Sequence, residues 1–197
     1  MTGTLIVVAF TLVIVFFIAL GLWSRQRQSE AWREFATQIG GEFTSGGLFR
    51  ANKVQAQIEE QQILLDTYTV SSGDSSTTYT RIRAPFQNTE GFQFTISRTG
   101  LVSKIGKALG AQDIEIGDSS FDDDFTIQSN NESKVRTLFT NGRIRQLIQG
   151  QKSIRLSLKG NELHFQVQGV IRDVERLKSL FELFKETLQQ LDGGTFG

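Results

Sequence analysis

The first 24 residues carry no charged side chain, and Leu5 to Trp23 is a 19-residue run that is apolar except for Thr11 and Gly21. As a helix this run spans ~28 Å, close to a bilayer core of about 30 Å. Trp23 stands where an interfacial aromatic belongs, and Arg25 and Arg27 follow at once. The sequence therefore predicts a transmembrane helix from Thr4 to Trp23, with residues 1–28 as the anchor and its basic flank. A cleaved signal peptide fits less well. The region before the run has no Lys or Arg, the run exceeds the usual 7 to 15 residues, and no small-x-small site precedes Trp23. With Arg25, Arg27 and Arg33 on one flank only, the positive-inside rule predicts the N-terminus outside and the remainder cytoplasmic.

Residues 29–197 provide enough chain for one soluble domain, of a size that buries about 70% of its unfolded surface. Lys plus Arg number 21 and Asp plus Glu number 21. That balance lacks the basic excess of a dedicated nucleic-acid binder. The absence of cysteine excludes disulfides, thiolate catalysis and cysteine-based zinc sites.

Ser29 reads as the cap of a helix whose apolar positions Trp32, Phe35, Ala36 and Ile39 share one face, and which Gly40-Gly41 ends. With almost no linker before it, the domain should sit close to the bilayer. Strands are expected where Val54, Ala56 and Ile58 alternate with polar residues, over Gln62 to Val70, over Thr77 to Ala84, and around Phe92, Phe94 and Ile96. Their short connections favour an antiparallel meander, with Ser71 to Ser76 as a mobile polar loop. A short helix over Leu101 to Leu109, a strand at Phe125 and Ile127, and helices over Asn131 to Phe139 and Arg143 to Ile148 follow, the last two hinged at Asn141-Gly142. Ser153 to Lys159 and Glu162 to Gln168 form the clearest hairpin, turning at Gly160-Asn161. Val170, Val174, Leu177, Phe181, Phe184, Leu188 and Leu191 repeat at alternating spacings of four and three, widened by Leu180 and Leu183. A stripe that wide suits burial against a sheet better than a coiled-coil seam.

Candidate chemistry is sparse. The run Asp118-Ser119-Ser120-Phe121-Asp122-Asp123-Asp124 is the densest charge cluster, and hard carboxylates this close can bind Ca²⁺ or Mg²⁺. It lacks the EF-hand glycine and bidentate glutamate, so it reads as a solvated loop entering a strand, with one Asp capping a turn. His164, the only histidine, alternates out of the hairpin core beside Gln166 and Gln168, and reads as a polar residue on an exposed strand face. Arg136, Arg143, Arg145, Lys152, Arg155 and Lys159 make the second half locally basic. With Arg25, Arg27 and Arg33 they are candidates to face anionic lipid. No phosphate loop or nucleophile elbow is present. No catalytic, cofactor-binding or metal-ligating residue is assigned, and no cofactor is implied.

The stretch Ile116-Gly117-Asp118-Ser119-Ser120-Phe121-Asp122-Asp123-Asp124-Phe125-Thr126-Ile127, followed by Val135, Leu138 and Ile144-Arg145-Gln146-Leu147, resembles a pattern in uncharacterised bacterial single-pass membrane-anchored proteins. The resemblance covers the C-terminal half. It implies a bacterial inner-membrane location and transfers no activity.

These observations predict an α+β fold: an N-terminal transmembrane helix, a short amphipathic helix, an antiparallel sheet of six or more strands, and a long C-terminal amphipathic helix packed on that sheet. The function they favour is a non-enzymatic accessory or scaffold subunit of a membrane protein complex. Its partners would be membrane protein complex subunits and anionic lipid, not nucleic acid. A membrane-tethered ligand- or lipid-binding sensor is the alternative, and a metal enzyme built on Asp118 to Asp124 is a third.

Overall fold

A computed structural model describes residues 2–47, 50–58, 60–87, 90–99 and 113–193. Its first element is one 37-residue helix, α1 (Thr2–Gln38). At 1.5 Å per residue α1 is ~55 Å long, and its apolar part is long and apolar enough to cross a membrane. The break expected at Ser29 does not occur. Arg25-Gln26-Arg27-Gln28 are good helix formers with no glycine or proline among them. The Ser29 hydroxyl donates to the Arg25 carbonyl one turn back (3.1 Å) instead of capping a new helix. Gln26 donates to Glu30 (3.0 Å), and the Arg27 guanidinium lies 4.0 Å from the Trp23 ring centre. Each of these is an i,i+4 contact that supports continuity across the junction.

α1 ends as the sequence predicts. Gly40 adopts φ +68°, Gly41 N–H donates to Ala36 O (2.8 Å) and Gly40 N–H to Thr37 O (3.4 Å), the paired bonds of a Schellman cap. Gly41 also lets the chain pass β2 closely, since a Cβ there would lie 2.7 Å from the Gln55 carbonyl oxygen.

Eight antiparallel strands form one sheet: β1 (Glu42–Thr44), β2 (Lys53–Ile58), β3 (Gln61–Ser72), β4 (Ser75–Pro85), β5 (Phe94–Arg98), β6 (Phe125–Ser129), β7 (Arg155–Lys159) and β8 (Glu162–Gln168). Their spatial order is β1-β2-β3-β4-β8-β7-β5-β6. The meander therefore stops at β4, and the last hairpin, β7–β8, enters between β4 and β5. The pattern of burial accounts for this. Leu156, Leu158, Leu163, Phe165 and Val167 are all essentially buried, so this hairpin gains most from the centre of the sheet.

The expected polar loop at Ser71 to Ser76 is also different. β3 and β4 continue through it and turn at Gly73-Asp74, where Gly73 has φ +58°. Regular pairing persists although the side chains from Ser71 to Ser76 are exposed. Cross-strand contacts hold the outer part: Thr69 and Thr78 hydroxyls meet at 2.9 Å, and Tyr68 stacks on Tyr79 with ring centres 5.4 Å apart.

Among the described residues the remaining helices are α2 (Ser119–Asp124), α3 (Glu132–Thr140), α4 (Gly142–Gln149) and α5 (Val174–Asp192). Asn141 ends α3 and caps α4 by accepting from Arg143 N–H (3.0 Å) and Ile144 N–H (3.4 Å). Asp173 caps α5 by accepting from Arg176 N–H (2.9 Å). α5 therefore starts after Val170, which is half-buried in the preceding segment rather than part of the helical stripe. The helix expected over Leu101 to Leu109 lies outside the described residues.

One face of the sheet is apolar and covered. Val54, Ile63, Leu65, Ile82, Phe165, Leu156 and Ile96 meet the α5 stripe, in which Leu177, Leu180, Leu183 and Phe184 are wholly buried. The other face carries Asp66, Arg81, Arg83, His164, Gln166 and Arg155, alternating with that core as the pleat requires. The last turns of α1 belong to the core. Trp32, Phe35 and Ala36 are buried, Trp32 Nε1–H donates to the Ile171 carbonyl (2.9 Å), and Phe35 meets Phe181 edge-on.

Candidate functional site

The polar sheet face carries a linked network of side chains. Arg81 donates through Nε and Nη2 to the two Asp66 carboxylate oxygens (2.8 Å each), and Arg83 Nη2 reaches Asp66 at 3.4 Å. Asp66 is buried, and its hydrogen bond with Arg81 holds that guanidinium's pKa above the ordinary value. The Arg81 guanidinium also lies 4.8 Å from the Tyr68 ring centre, and the Tyr68 hydroxyl donates to Gln166 Oε1 (2.6 Å). Burial raises the Tyr68 hydroxyl pKa. The charges on this face are directed at one another, an arrangement that fixes strand register rather than awaiting a substrate.

His164 lies in that face, opposite Arg83 on one side and Ser157 on the other. It is half-buried, not on an exposed face as its alternation suggested. The broad sheet and the long side chains of the neighbouring strands shield it. Its Nδ1 is 3.8 Å from Glu162, and its Nε2 is buried without a hydrogen-bond partner among the described residues. Burial lowers its pKa below 6.5; Glu162 opposes this while Arg81 and Arg83 reinforce it. The unfolded chain therefore takes up a proton at a higher pH than the folded chain. The stability from a neutral His164 is complete above pH ~6.5 and is lost as pH falls through that value toward the lower folded pKa. Urea midpoints at pH 7.5 and pH 5.5 should show this loss in the natural chain, and His164→Gln should reduce the difference between the two pH values.

The acidic run is structural. Asp118 caps α2, accepting from Phe121 N–H (3.3 Å), and its carboxylate lies 3.4 Å from Arg145. Asp122 accepts from the backbone N–H groups of Ile116 (2.9 Å) and Gly117 (3.0 Å). Asp124 pairs with Arg98 at 3.4 Å. The Asp118, Asp122 and Asp124 carboxylates thus point to separate partners, and among the described residues no group of three or more His, Asp or Glu side chains is placed to hold a metal ion.

The basic residues do not gather as one set. Arg136 pairs with Glu132, Arg143 with Glu182 and Arg145 with Asp118, while Arg33 lies over Phe43. A different set converges where α1 leaves its apolar run. A hollow of about 490 Å³ is lined there by Gly21, Ser24, Arg25 and Gln28 of α1, by Arg50 from the β1–β2 connection, by Tyr68 and Thr78 of the β3–β4 hairpin, and by Arg172 ahead of α5. Arg172 donates to the Ser24 hydroxyl (2.6 Å), and Arg25 donates to the Gly47 carbonyl (3.5 Å). Asn52 fixes the wall, its Nδ2 donating to the Ser29 hydroxyl (2.9 Å) and its Oδ1 accepting from Gly46 N–H (3.1 Å). Arg50 and Arg172 gave no local signal in the sequence. Each is an isolated arginine, and only tertiary structure brings them beside Arg25.

No protein-family model matches the chain, and no curated protein matches it in sequence. Its structure is similar to the crystal structure of the mycobacterial trehalose monomycolate transport factor A, TtfA, with a TM-score of 0.56 and 11% sequence identity over 84% of this chain and 94% of that one. At that identity the likeness is one of fold: this chain shares its architecture with a mycobacterial transport factor.

Proposed function

We propose that the protein is a non-enzymatic, membrane-anchored accessory or scaffold subunit of a membrane protein complex. Residues 1–28 are its anchor in a bacterial inner membrane, and residues 29–197 are a single soluble domain on the cytoplasmic side. The observation that carries this reading is the unbroken course of α1 from the apolar run into the core, where Trp32 and Phe35 are buried. A tether would let the domain roam, whereas a continuous helix holds it at one height and orientation beside the bilayer. That suits a part that positions other parts. Ile6 to Trp23 present exposed apolar side chains around the whole helix, a surface for lipid and for neighbouring membrane helices. Charges spent on internal pairing, as at Asp66 and Asp118 to Asp124, favour a structural role over a catalytic one. The shared fold with a transport factor agrees with this role.

The sensor alternative gains nothing from the space between the sheet and α5, because Leu177, Leu180, Leu183 and Phe184 fill it. Its support comes instead from the basic hollow beside α1.

Gentle detergent extraction of the full chain, with native-size analysis and identification of co-purifying proteins, tests the subunit reading. A stoichiometric integral membrane partner is expected, and it should be lost when residues 5–22 are replaced by polyleucine. A monomer or self-dimer free of partners overturns the reading.

A further inference from the structure

We propose that the hollow beside α1 binds the phosphate-bearing headgroup of an anionic phospholipid. This inference rests on the anchored reading above, since only a membrane-spanning α1 brings the hollow to headgroup level. Gly21, within the apolar run, and Ser24, just past it, both line the hollow, so its mouth lies where hydrocarbon gives way to water. Three arginines from three separate segments line it, Arg25, Arg50 and Arg172, and no carboxylate is present among its described lining residues. A concave basic surface without acids is complementary to an anion, and guanidinium groups donate two parallel bonds to a phosphate. Gln28 supplies a further donor, its Nε2 being buried with no acceptor among the described residues. Thr69 and Thr78, whose hydroxyls meet at 2.9 Å, line the opposite wall and can meet a polyol such as the glycerol of phosphatidylglycerol. The volume, about 490 Å³, lies within the usual range for small-molecule sites.

The arginines are also held in place. Arg172 is anchored on Ser24, and Arg25 reaches the backbone of the β1–β2 connection. Preorganised charge of this kind distinguishes a headgroup site from a diffuse basic surface, which attracts lipid without binding any one molecule.

The test uses the full chain reconstituted in vesicles of equimolar phosphatidylcholine and phosphatidylglycerol, released into the gas phase, with retained lipid identified by native mass spectrometry. Phosphatidylglycerol should be retained over phosphatidylcholine by about tenfold. That preference should vanish in Arg25→Gln/Arg50→Gln/Arg172→Gln and persist in a charge-matched control, Arg136→Gln/Arg143→Gln/Arg176→Gln. Arg50→Gln alone, on an exposed connection, should weaken the preference without loss of folding. Equal retention of both lipids by the natural chain, or an unchanged preference in the triple variant, overturns the proposal. Displacement of the retained lipid by millimolar inorganic phosphate would assign the hollow to a soluble phosphate and overturn the lipid assignment. Alkaline carbonate washing of the same membranes separates the two readings. Release of the chain contradicts the anchor itself, whereas an anchored chain with no lipid preference contradicts only the headgroup site.

Discussion

Replacing Trp32 by alanine should lower the stability of the folded domain by about 4 kcal/mol, the order expected for deleting a wholly buried large aromatic. Trp32 has no exposed surface and is one of the largest fully buried side chains. Its loss opens a cavity between α1 and the core and strips the Ile171 carbonyl of its indole donor. Ile171 is held at the same point by its own N–H, which donates to the Thr80 hydroxyl (3.0 Å), and that hydroxyl donates to Gly169 O (2.8 Å). The truncation therefore loosens the path from β8 to α5 as well as the seat of α1. Trp32→Phe separates the two contributions. It keeps most of the apolar volume and leaves the carbonyl unpaired, a cost of about 1 to 3 kcal/mol. Urea titration of the full chain in mild detergent, followed by circular dichroism, measures both. Since domains of this kind have about 5 to 15 kcal/mol in all, a Trp32→Ala chain with unchanged midpoint would mean that α1 is not seated in the core.

The second large effect is expected at Gln26, in the exposed stretch of α1 between the apolar run and the buried turns. Gln26→Pro removes a backbone N–H from the helix ladder and pushes a ring against the preceding turn, costing about 3 kcal/mol locally. The domain beyond should stay folded, because Gln26 is exposed and its side chain donates to Glu30 within the same helix. Amide exchange over residues 24–30 should accelerate about a hundredfold, the rate equivalent of that cost if the helix opens locally. Gln26→Ala, which keeps the backbone bond, should leave exchange nearly unchanged. Uniform acceleration through the sheet in the proline variant would instead show that the junction and core unfold as one unit.

Much of the architecture could be read from local pattern. The alternation at Val54, Ala56 and Ile58, the β7–β8 hairpin and the wide stripe from Leu177 to Leu191 all report their burial directly, because pleat and helix pitch impose their periods on the sequence. The helix junction was harder. Ser29 carries the chemistry of a cap, and whether its hydroxyl turns forward to a free N–H or back to Arg25 O depends on what the helix after it packs against. Strand order was not legible either. Nothing near Phe94 says that β5 pairs with β7 rather than β4; that outcome follows from competition for the centre of the sheet. At Ser71 to Ser76 composition pointed to a loop, but the Gly73-Asp74 turn and paired strands on both sides carried the ladder to the tip. The hollow is the least legible feature, since Arg25, Arg50 and Arg172 are separated by long stretches of chain and only the fold makes them neighbours.

The most direct test is the distance between nitroxide labels on Ile14→Cys and Thr37→Cys, measured by pulsed electron resonance on the full chain in lipid nanodiscs. The natural chain has no cysteine, so the pair is unique, and both side chains are exposed. A continuous α1 places the two backbone positions ~35 Å apart, which predicts one narrow distribution near that value. A broad distribution extending to much shorter distances would reveal a hinge between the apolar run and the core, and would contradict the account of a rigidly mounted domain.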